Sequence, residues 1–372
     1  MSSIIRATTT NGLQVAPDNS GSLVLQTNGT NTALTIDTSQ NTTLAGKLTT
    51  ASSGIQFSDS SIQTAAASPF GLKNRIINGA MQVWQRGTSF TFSSSGYAYC
   101  ADRWASAFQN GTYSQSTDVP TNNAARFSLN ITTGSGAYNA FRQRIESYNS
   151  QDLSGQTVTI SFWAKAISGG SQNLVVGLTY PSAQDNWTSS TTIQENTVSS
   201  SVSSSWTQYT TTFTNLPSNV TNGLELYISL GSTSSAQIRY TLVQLEIGTS
   251  STPFERRLYG QELALCQRYY QVAKSNVNVA ATSSSINGVI PLLVQLRSDS
   301  ITVGKTSGTF SMGDMVSAGY TSTSTPTDSG YINNSLSVSF NLAGFSSLTS
   351  YRTYRHEPNS SNPALFTVSA EL

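Results

Sequence analysis

Residues 157–167, TVTISFWAKAI, alternate between apolar and polar side chains without a break. Val158, Ile160, Phe162, Ala164 and Ala166 fall on one side of an extended chain, and Thr159, Ser161, Trp163 and Lys165 on the other. A period of two is what a strand with one buried and one wet face requires, and a helix cannot satisfy it. Residues 224–230, LELYISL, repeat the pattern, with Leu224, Leu226, Ile228 and Leu230 set against Glu225, Tyr227 and Ser229. NLVVGLTY (173–180) and ARFSLNI (125–131) read as further strands. Such segments separated by frequent turns predict antiparallel sheets with one solvated face, and their spacing over residues 73–252 suits a jelly-roll β-sandwich. The chain as a whole is expected to be all-β.

Only 10% of the 372 residues are charged, against roughly a quarter in an average soluble domain. Ser, Thr, Asn, Gln and Gly take their place, as in many extracellular β-proteins. The formal net charge of +1 provides no long-range field, so neither nucleic acid nor an anionic membrane is an expected partner. No apolar run approaches the ~20 residues of a membrane-spanning helix, and residues 1–13 lack the charged-then-apolar pattern of a secretion signal. Two cysteines, Cys100 and Cys266, do not make a disulfide framework and read as buried reduced thiols. With His356 the only histidine, no metal site or cofactor is expected.

Four regions follow. In residues 1–72 short apolar pairs recur at Leu13/Val15, Leu23/Leu25, Leu34/Ile36, near Leu44, and at Ile55/Phe57, about 10 or 11 residues apart and separated by turn signals. One copy of such a segment cannot bury enough apolar surface to offset its ordering entropy. It is read as an intertwined β shaft completed by other copies of the chain in a homotrimer, with a Ser/Thr-rich linker as the alternative. Residues 73–252 form the jelly roll. Residues 253–274 are expected to be a helix linker opening at Pro253, with one stripe of Tyr259, Leu263, Cys266 and Tyr270 and a second of Leu258, Leu265, Tyr269 and Val272. Two apolar sides suggest that the helix is covered by its own domain and by symmetry mates. Residues 275–372 form a smaller β-domain with strands in 288–303, 330–342 and 364–372.

Two segments bracket the jelly roll: residues 74–105 (NRIINGAMQVWQRGTSF…YCADRWA) and 243–271 (VQLEIGTSSTPFERRLYGQELALCQRYYQ). Their most specific parts are Asn78-Gly79, Gln82, Gln85-Arg86-Gly87, Asp102-Arg103-Trp104, Glu262-Leu263 and Cys266-Gln267-Arg268-Tyr269-Tyr270. On these residues the chain resembles the central module of phage tail-fibre and related virion proteins, over roughly residues 54–303 and the closing Glu371-Leu372. The region between them is also similar to the carbohydrate-binding jelly-roll modules of extracellular proteins. Trp84, Gln85, Arg86, Asp102, Arg103, Trp104, Cys266, Arg268, Tyr269 and Tyr270 read as packing residues. Arg86 and Arg103 are expected to pair with Asp102 or Glu246, and Trp84 and Trp104 to fill the core.

The resemblance implies a virion protein, on a phage tail or particle surface, that docks to another virion protein through its N-terminal region. Release by host lysis would account for the absence of a secretion signal. The host partner would be surface polysaccharide or lipopolysaccharide, bound by several weak contacts at once. Sugar recognition needs exposed aromatic faces beside amides and carboxylates. Trp163, Lys165 and Tyr227, on polar strand faces, are candidates to line one concave surface, and the loop carrying Tyr180, Asp185, Asn186 and Trp187 is another. Residues 351–357 supply the densest aromatic-basic cluster, in Tyr351, Arg352, Tyr354, Arg355 and His356, where arginine forks suit carboxylate or phosphate groups. An edge strand blunted by charge is the alternative for that segment. No nucleophile elbow and no carboxylate pair in a recognisable context is present, so the chain is not read as an enzyme. A purely structural virion component (tail-tip, adaptor or capsid fibre protein) and a carbohydrate-active enzyme remain the alternatives.

Overall fold

The computed structural model describes residues 23–27, 31–45, 55–56, 62–63, 73–93, 97–106, 111–121, 125–231, 235–275, 278–308, 310–317, 320–323, 327–333, 336–356 and 364–372. The chain divides into two compact units, Met1–Ala67 and Ser68–Leu372. Among the described residues the secondary structure is almost all antiparallel β, with one α-helix and three short 3-10 turns.

In the first unit β1 (Leu23–Thr27), β2 (Asn31–Ile36) and β3 (Thr42–Leu44) form one sheet, and β4 (Ile55–Gln56) pairs with β5 (Ile62–Gln63). Val24, Leu25 and Leu44 stay 43%, 44% and 42% exposed, so the sheet leaves its own apolar side chains in contact with water. Leu13, Val15 and Phe57 lie outside the described residues.

The second unit opens with the sandwich. Its strands are β6 (Ser89–Phe92), β7 (Ala105–Ser106), β8 (Gly111–Ser116), β9 (Ser128–Thr133), β10 (Ala140–Ile145) and β11 (Val158–Ser168), then β12 (Leu174–Ala183), β13 (Asn186–Ser199), β14 (Thr207–Phe213), β15 (Leu224–Leu230) and β16 (Ala236–Ile247). One sheet has the order β13-β12-β15-β10-β7 and the other β14-β11-β16-β9-β8-β6. The eight strands β9 to β16 divide between the sheets in the order that defines a jelly roll. The alternation read from the sequence sets the faces. Val158, Ile160, Phe162 and Ala164 from one sheet meet Leu224, Leu226, Ile228 and Leu230 from the other in one core, around the fully buried Trp104 and Phe141.

The helix is shorter than the sequence pattern suggests. α1 spans only Tyr259–Gln267, and Leu258 and Tyr259 at its start are 75% and 57% exposed. Hydrogen bonds hold residues 253–258 outside the helix instead. Glu255 accepts the Asn74 amide at 2.8 Å, its own amide donates to Gln244 Oε1 at 2.8 Å, and Arg257 donates to the Ile76 carbonyl at 2.9 Å. Beyond the helix, β17 (Tyr270–Ala273) leaves the helical path to pair with β26 (Phe366–Ser369). Tertiary pairing therefore overrides the local helical preference at both ends.

The remaining strands are β18 (Asn278–Ala280), β19 (Ser285–Pro291), β20 (Thr302–Lys305), β21 (Phe310–Asp314), β22 (Tyr320–Thr323), β23 (Thr327–Asn333), β24 (Ser337–Ala343) and β25 (Thr353–His356). They form a seven-stranded sheet, β22-β21-β25-β18-β19-β24-β23, and a three-stranded one, β17-β26-β20. A second core around Ile290, Phe310, Phe340 and Phe366 lies between these strands. A small third cluster of Ile77, Val83, Cys266 and Tyr269, with Leu372 against it, links the first motif segment, the helix and the chain's last residues.

Candidate functional site

The outer face of the five-stranded sheet carries a groove of about 510 Å³. Strand register builds it. Glu195, Gly177, Tyr227 and Arg142 form one row across four strands, and Thr192, Thr179, Glu225 and Arg144 form the next. Gly177 is the only residue in the first row without a side chain, and the tip of the Tyr227 ring lies in the space that a Cβ there would fill. The Tyr227 hydroxyl donates to Glu195, which is exposed at the lip of the groove. Burial and this hydrogen bond push the phenol well above its usual pKa, so it remains a donor. Beneath it the buried Glu225 accepts from Arg142 at 3.1 Å, Arg144 at 3.0 Å and Thr179 at 3.5 Å. Ser190, Thr192 and Ser229 add hydroxyls, and Tyr138 adds a second aromatic side chain. An aromatic surface among hydroxyls and a carboxylate suits a ligand with an apolar C–H face and a rim of hydroxyl groups.

The sequence candidates are distributed differently from expectation. Tyr227 lies in the groove, but Trp163 and Lys165 are on β11, on the outer face of the opposite sheet, so the three do not line one surface. The Lys165 ammonium donates to Asp118 at 2.9 Å. Asp118 also receives Trp206 Nε1 at 2.9 Å and the Arg239 guanidinium. Burial opposes the Asp118 charge, but these three donors outweigh it and hold its carboxyl below the usual range. Nearby, Thr241 donates to the Phe127 carbonyl at 2.9 Å, so the segment joining β8 and β9 is fastened at two points to this face.

In the second predicted segment, Tyr180 falls on the other side of β12 from Thr179, facing away from the groove by strand alternation. Asp185 closes the β12–β13 hairpin at φ 52°. Its carboxylate accepts the Ser147 amide at 2.8 Å and the Ser147 hydroxyl at 3.1 Å, and Arg297 lies 3.9 Å away. Asn186 accepts from the Thr188 amide and hydroxyl in a local turn. Trp187 packs beside Gly223, with the Arg144 guanidinium 4.7 Å from its ring centroid. These four residues shape a turn rather than presenting one open aromatic surface.

Residues 351–356 are not a blunted edge, because β25 is an inner strand between β21 and β18. Alternation therefore buries half of the cluster. Tyr354 is in the core, its hydroxyl accepting the Thr349 amide at 2.9 Å, and His356 sits against Phe310 and Phe366 with Nε2 3.0 Å from the Ala364 carbonyl oxygen. Burial lowers the His356 pKa. Arg352 pairs with Asp314 at 2.9 Å, while Arg355 is exposed and Tyr351 is 87% exposed.

The motif residues form a buried lock with a partner that the sequence reading did not assign. Arg86 lies 3.7 Å from Asp102, as expected, but its shorter contact is with Glu371 at 3.0 Å, and Arg103 also pairs with Glu371. Glu246 is instead held by the Thr252 amide and hydroxyl and by Gln244. The two guanidinium groups stack over Tyr270 and Tyr269, each at 3.5 Å from the ring centroid. Asp102 accepts the Gln85 amide at 2.9 Å, and Arg268 reaches Glu146 at 3.2 Å. Trp104 donates to the Asn78 carbonyl at 2.9 Å, and Trp84 packs against the main core. Gly79 is required because a Cβ there would overlap the Val243 carbonyl oxygen. Cys100 and Cys266 are free and buried, and burial pushes the Cys100 thiol up to about 12.

Gly177, Glu195 and Arg142 were not among the sequence candidates. A lone glycine inside NLVVGLTY does signal close approach of a neighbour, but not of which one. Among the described residues no group of three or more potential metal ligands occurs, and no helix is long and apolar enough to cross a membrane.

No protein-family model matches the chain, and no curated protein matches it. Solved structures with some likeness include the enzymatically active domain of tailspike protein 4 of bacteriophage CBA120, at 15% identity and a TM-score of 0.33, covering 47% of this chain and 21% of that one. The match thus spans about a fifth of that domain's chain. The CBM22-1 xylan-binding domain of Paenibacillus barcinonensis Xyn10C matches at 12% identity and a TM-score of 0.28, covering 43% of this chain and 99% of that one. TmCBM61, solved with β-1,4-galactotriose, matches at 10% and 0.28, covering 48% of this chain and all of the other. At scores this low the jelly-roll assignment rests on the strand order itself.

Proposed function

We propose that the groove on the five-stranded sheet binds a glycan, and that the chain is a host-adhesion component of a phage particle. The observation that carries the glycan reading is the Tyr227 ring laid across Gly177 among hydroxyls and the Glu195 carboxylate. The virion reading is supported by the motif resemblance, whose residues occupy the buried lock between the jelly roll and the chain's last residues. Exposed Val24, Leu25 and Leu44 in the first unit support assembly through that region, as a homotrimer whose three linked sites raise avidity over a single weak contact.

One observation favours a second reading, a structural virion component with no receptor of its own. Glu225 already has three protein partners, so the buried carboxylate of the groove is satisfied without a ligand. Adsorption assays separate the two. An adhesin binds host cells and slows phage adsorption when added as purified protein. A structural component does neither. Sedimentation equilibrium tests the trimer, and a monomer mass at micromolar concentration would remove it.

A further inference from the structure

We infer that the groove selects uncharged sugar chains, built of hexose or N-acetylhexosamine units, and rejects glycans bearing uronate, phosphate or sulfate. This rests on the glycan-binding reading of the same groove. Two cations and two carboxylates stand in the rows that form the groove floor, but they differ in exposure. Arg142 and Arg144 are both drawn onto the buried Glu225, at 3.1 and 3.0 Å. Arg144 has a further contact with the Leu372 backbone oxygen at 2.6 Å and lies 4.0 Å from the Tyr97 ring centroid. Arg144 is engaged on several sides, and Arg142, 14% exposed with one nitrogen on Glu225 and its Nε buried, does not present the open fork that a carboxylate or phosphate needs for two parallel hydrogen bonds. Glu195 is the opposite case. It is exposed at the lip, the neutral Tyr227 hydroxyl donates to it, and among the described residues no cation pairs with it.

A ligand stacked on Tyr227 therefore meets an uncompensated negative charge and a set of neutral hydroxyls from Ser190, Thr192 and Ser229. Sugar hydroxyls and acetamido N–H groups can donate to the second Glu195 oxygen. An acidic sugar at the same place brings like charge to within a few ångströms, with a penalty on the order of tenfold in affinity at low salt. Salt reduces that penalty, because the site is open to solvent. The aromatic-basic segment that suggested acidic polysaccharide from the sequence does not alter this. Tyr354 and His356 are buried and Arg352 is paired with Asp314.

The test is a glycan array of uncharged and acidic polysaccharides, probed at low and physiological salt with the wild-type chain, Glu195→Gln and Tyr227→Ala. The expected result is binding confined to uncharged glycans and lost in Tyr227→Ala. In Glu195→Gln the ratio of acidic to uncharged affinity should rise about tenfold at low salt, because the amide keeps an acceptor for Tyr227 but not the charge. Acidic glycans binding the wild type as well as uncharged ones, or a ratio unmoved in Glu195→Gln, overturns the selectivity and leaves the site standing. Binding to neither class, or binding untouched by Tyr227→Ala, removes the site as well.

Discussion

Glu371→Ala should be among the most damaging single substitutions outside the apolar core. Glu371 takes the guanidinium groups of Arg86, at 3.0 Å, and of Arg103, with all three side chains mostly or fully buried. Removing one partner of a buried ion pair costs about 3–5 kcal/mol, because the other is left without its counter-charge. Part of that loss is recovered here. Arg103 keeps the Arg144 carbonyl at 2.6 Å and the Tyr269 ring, and Arg86 keeps Asp102 at 3.7 Å and the Tyr270 ring. The expected cost is therefore at the lower end, about 3 kcal/mol. The assay is urea unfolding followed by tryptophan fluorescence. With a slope of about 3 kcal/mol per molar urea, the midpoint should fall by about 1 M. Asp152→Asn, which breaks the solvent-exposed Arg75–Asp152 pair, serves as the control and should cost under about 1 kcal/mol. If Glu371→Ala shifts the midpoint no further than Asp152→Asn, the lock does not hold the jelly roll to the terminal strands.

Three further outcomes follow from the geometry. Gly177→Ala places a Cβ where the Tyr227 ring lies. The ring tip can swing aside, so stability should change by less than about 1 kcal/mol, the scale of a glycine-to-alanine exchange in a strand. Glycan affinity should nevertheless fall about tenfold or more in a direct titration. Cys100, its thiol pushed up to about 12, should stay unlabelled by a thiol reagent at pH 8 in the native protein, as should Cys266, and both should react once urea unfolds it. The Asp314 carboxyl is lowered to about 2 by the Val316 amide first, then by Ser317 and Arg352. Carboxyl NMR should find its midpoint near that value. Arg352→Ala should raise it while leaving it below 3.8, because the Val316 and Ser317 hydrogen bonds remain. Since the folded-state value is depressed, this contribution to stability is present above the ordinary carboxylate pKa and is lost as pH falls toward about 2.

The sandwich was legible because burial on one strand face writes itself into the sequence. β11 and β15 turn their apolar sets into the core as alternation assigns, although Thr159, Ser161 and Glu225 on the opposite faces are buried too. The helix limits were not legible. They are set by hydrogen bonds between residues 73–76 and 255–257 and by the pairing of β17 with β26, contacts that no local pattern encodes. The same holds for the site. Tyr227 stood out as an aromatic residue on a polar strand face. Its neighbours Gly177, Glu195 and Arg142 come from three other strands, and only the register of the sheet brings them into one row. Trp163 carried the same local signal as Tyr227 but belongs to the other sheet, so alternation alone could not tell a shared surface from two opposed ones. In the lock, the arginines and tyrosines were legible as structural residues. The principal partner of Arg86 and Arg103, Glu371, is more than 260 positions away from them in sequence.

On the glycan-binding proposal, the working surface is the outer face of the five-stranded sheet. The most direct test is calorimetric titration of the best array glycan into the wild type, Tyr227→Ala and Trp163→Ala, with folding of each checked by its thermal midpoint. Tyr227→Ala should weaken binding about tenfold or more, a loss of at least about 1.4 kcal/mol, while Trp163→Ala, on the opposite face, should keep the wild-type affinity. Wild-type affinity in a folded Tyr227→Ala, with binding lost in Trp163→Ala, would contradict the proposal.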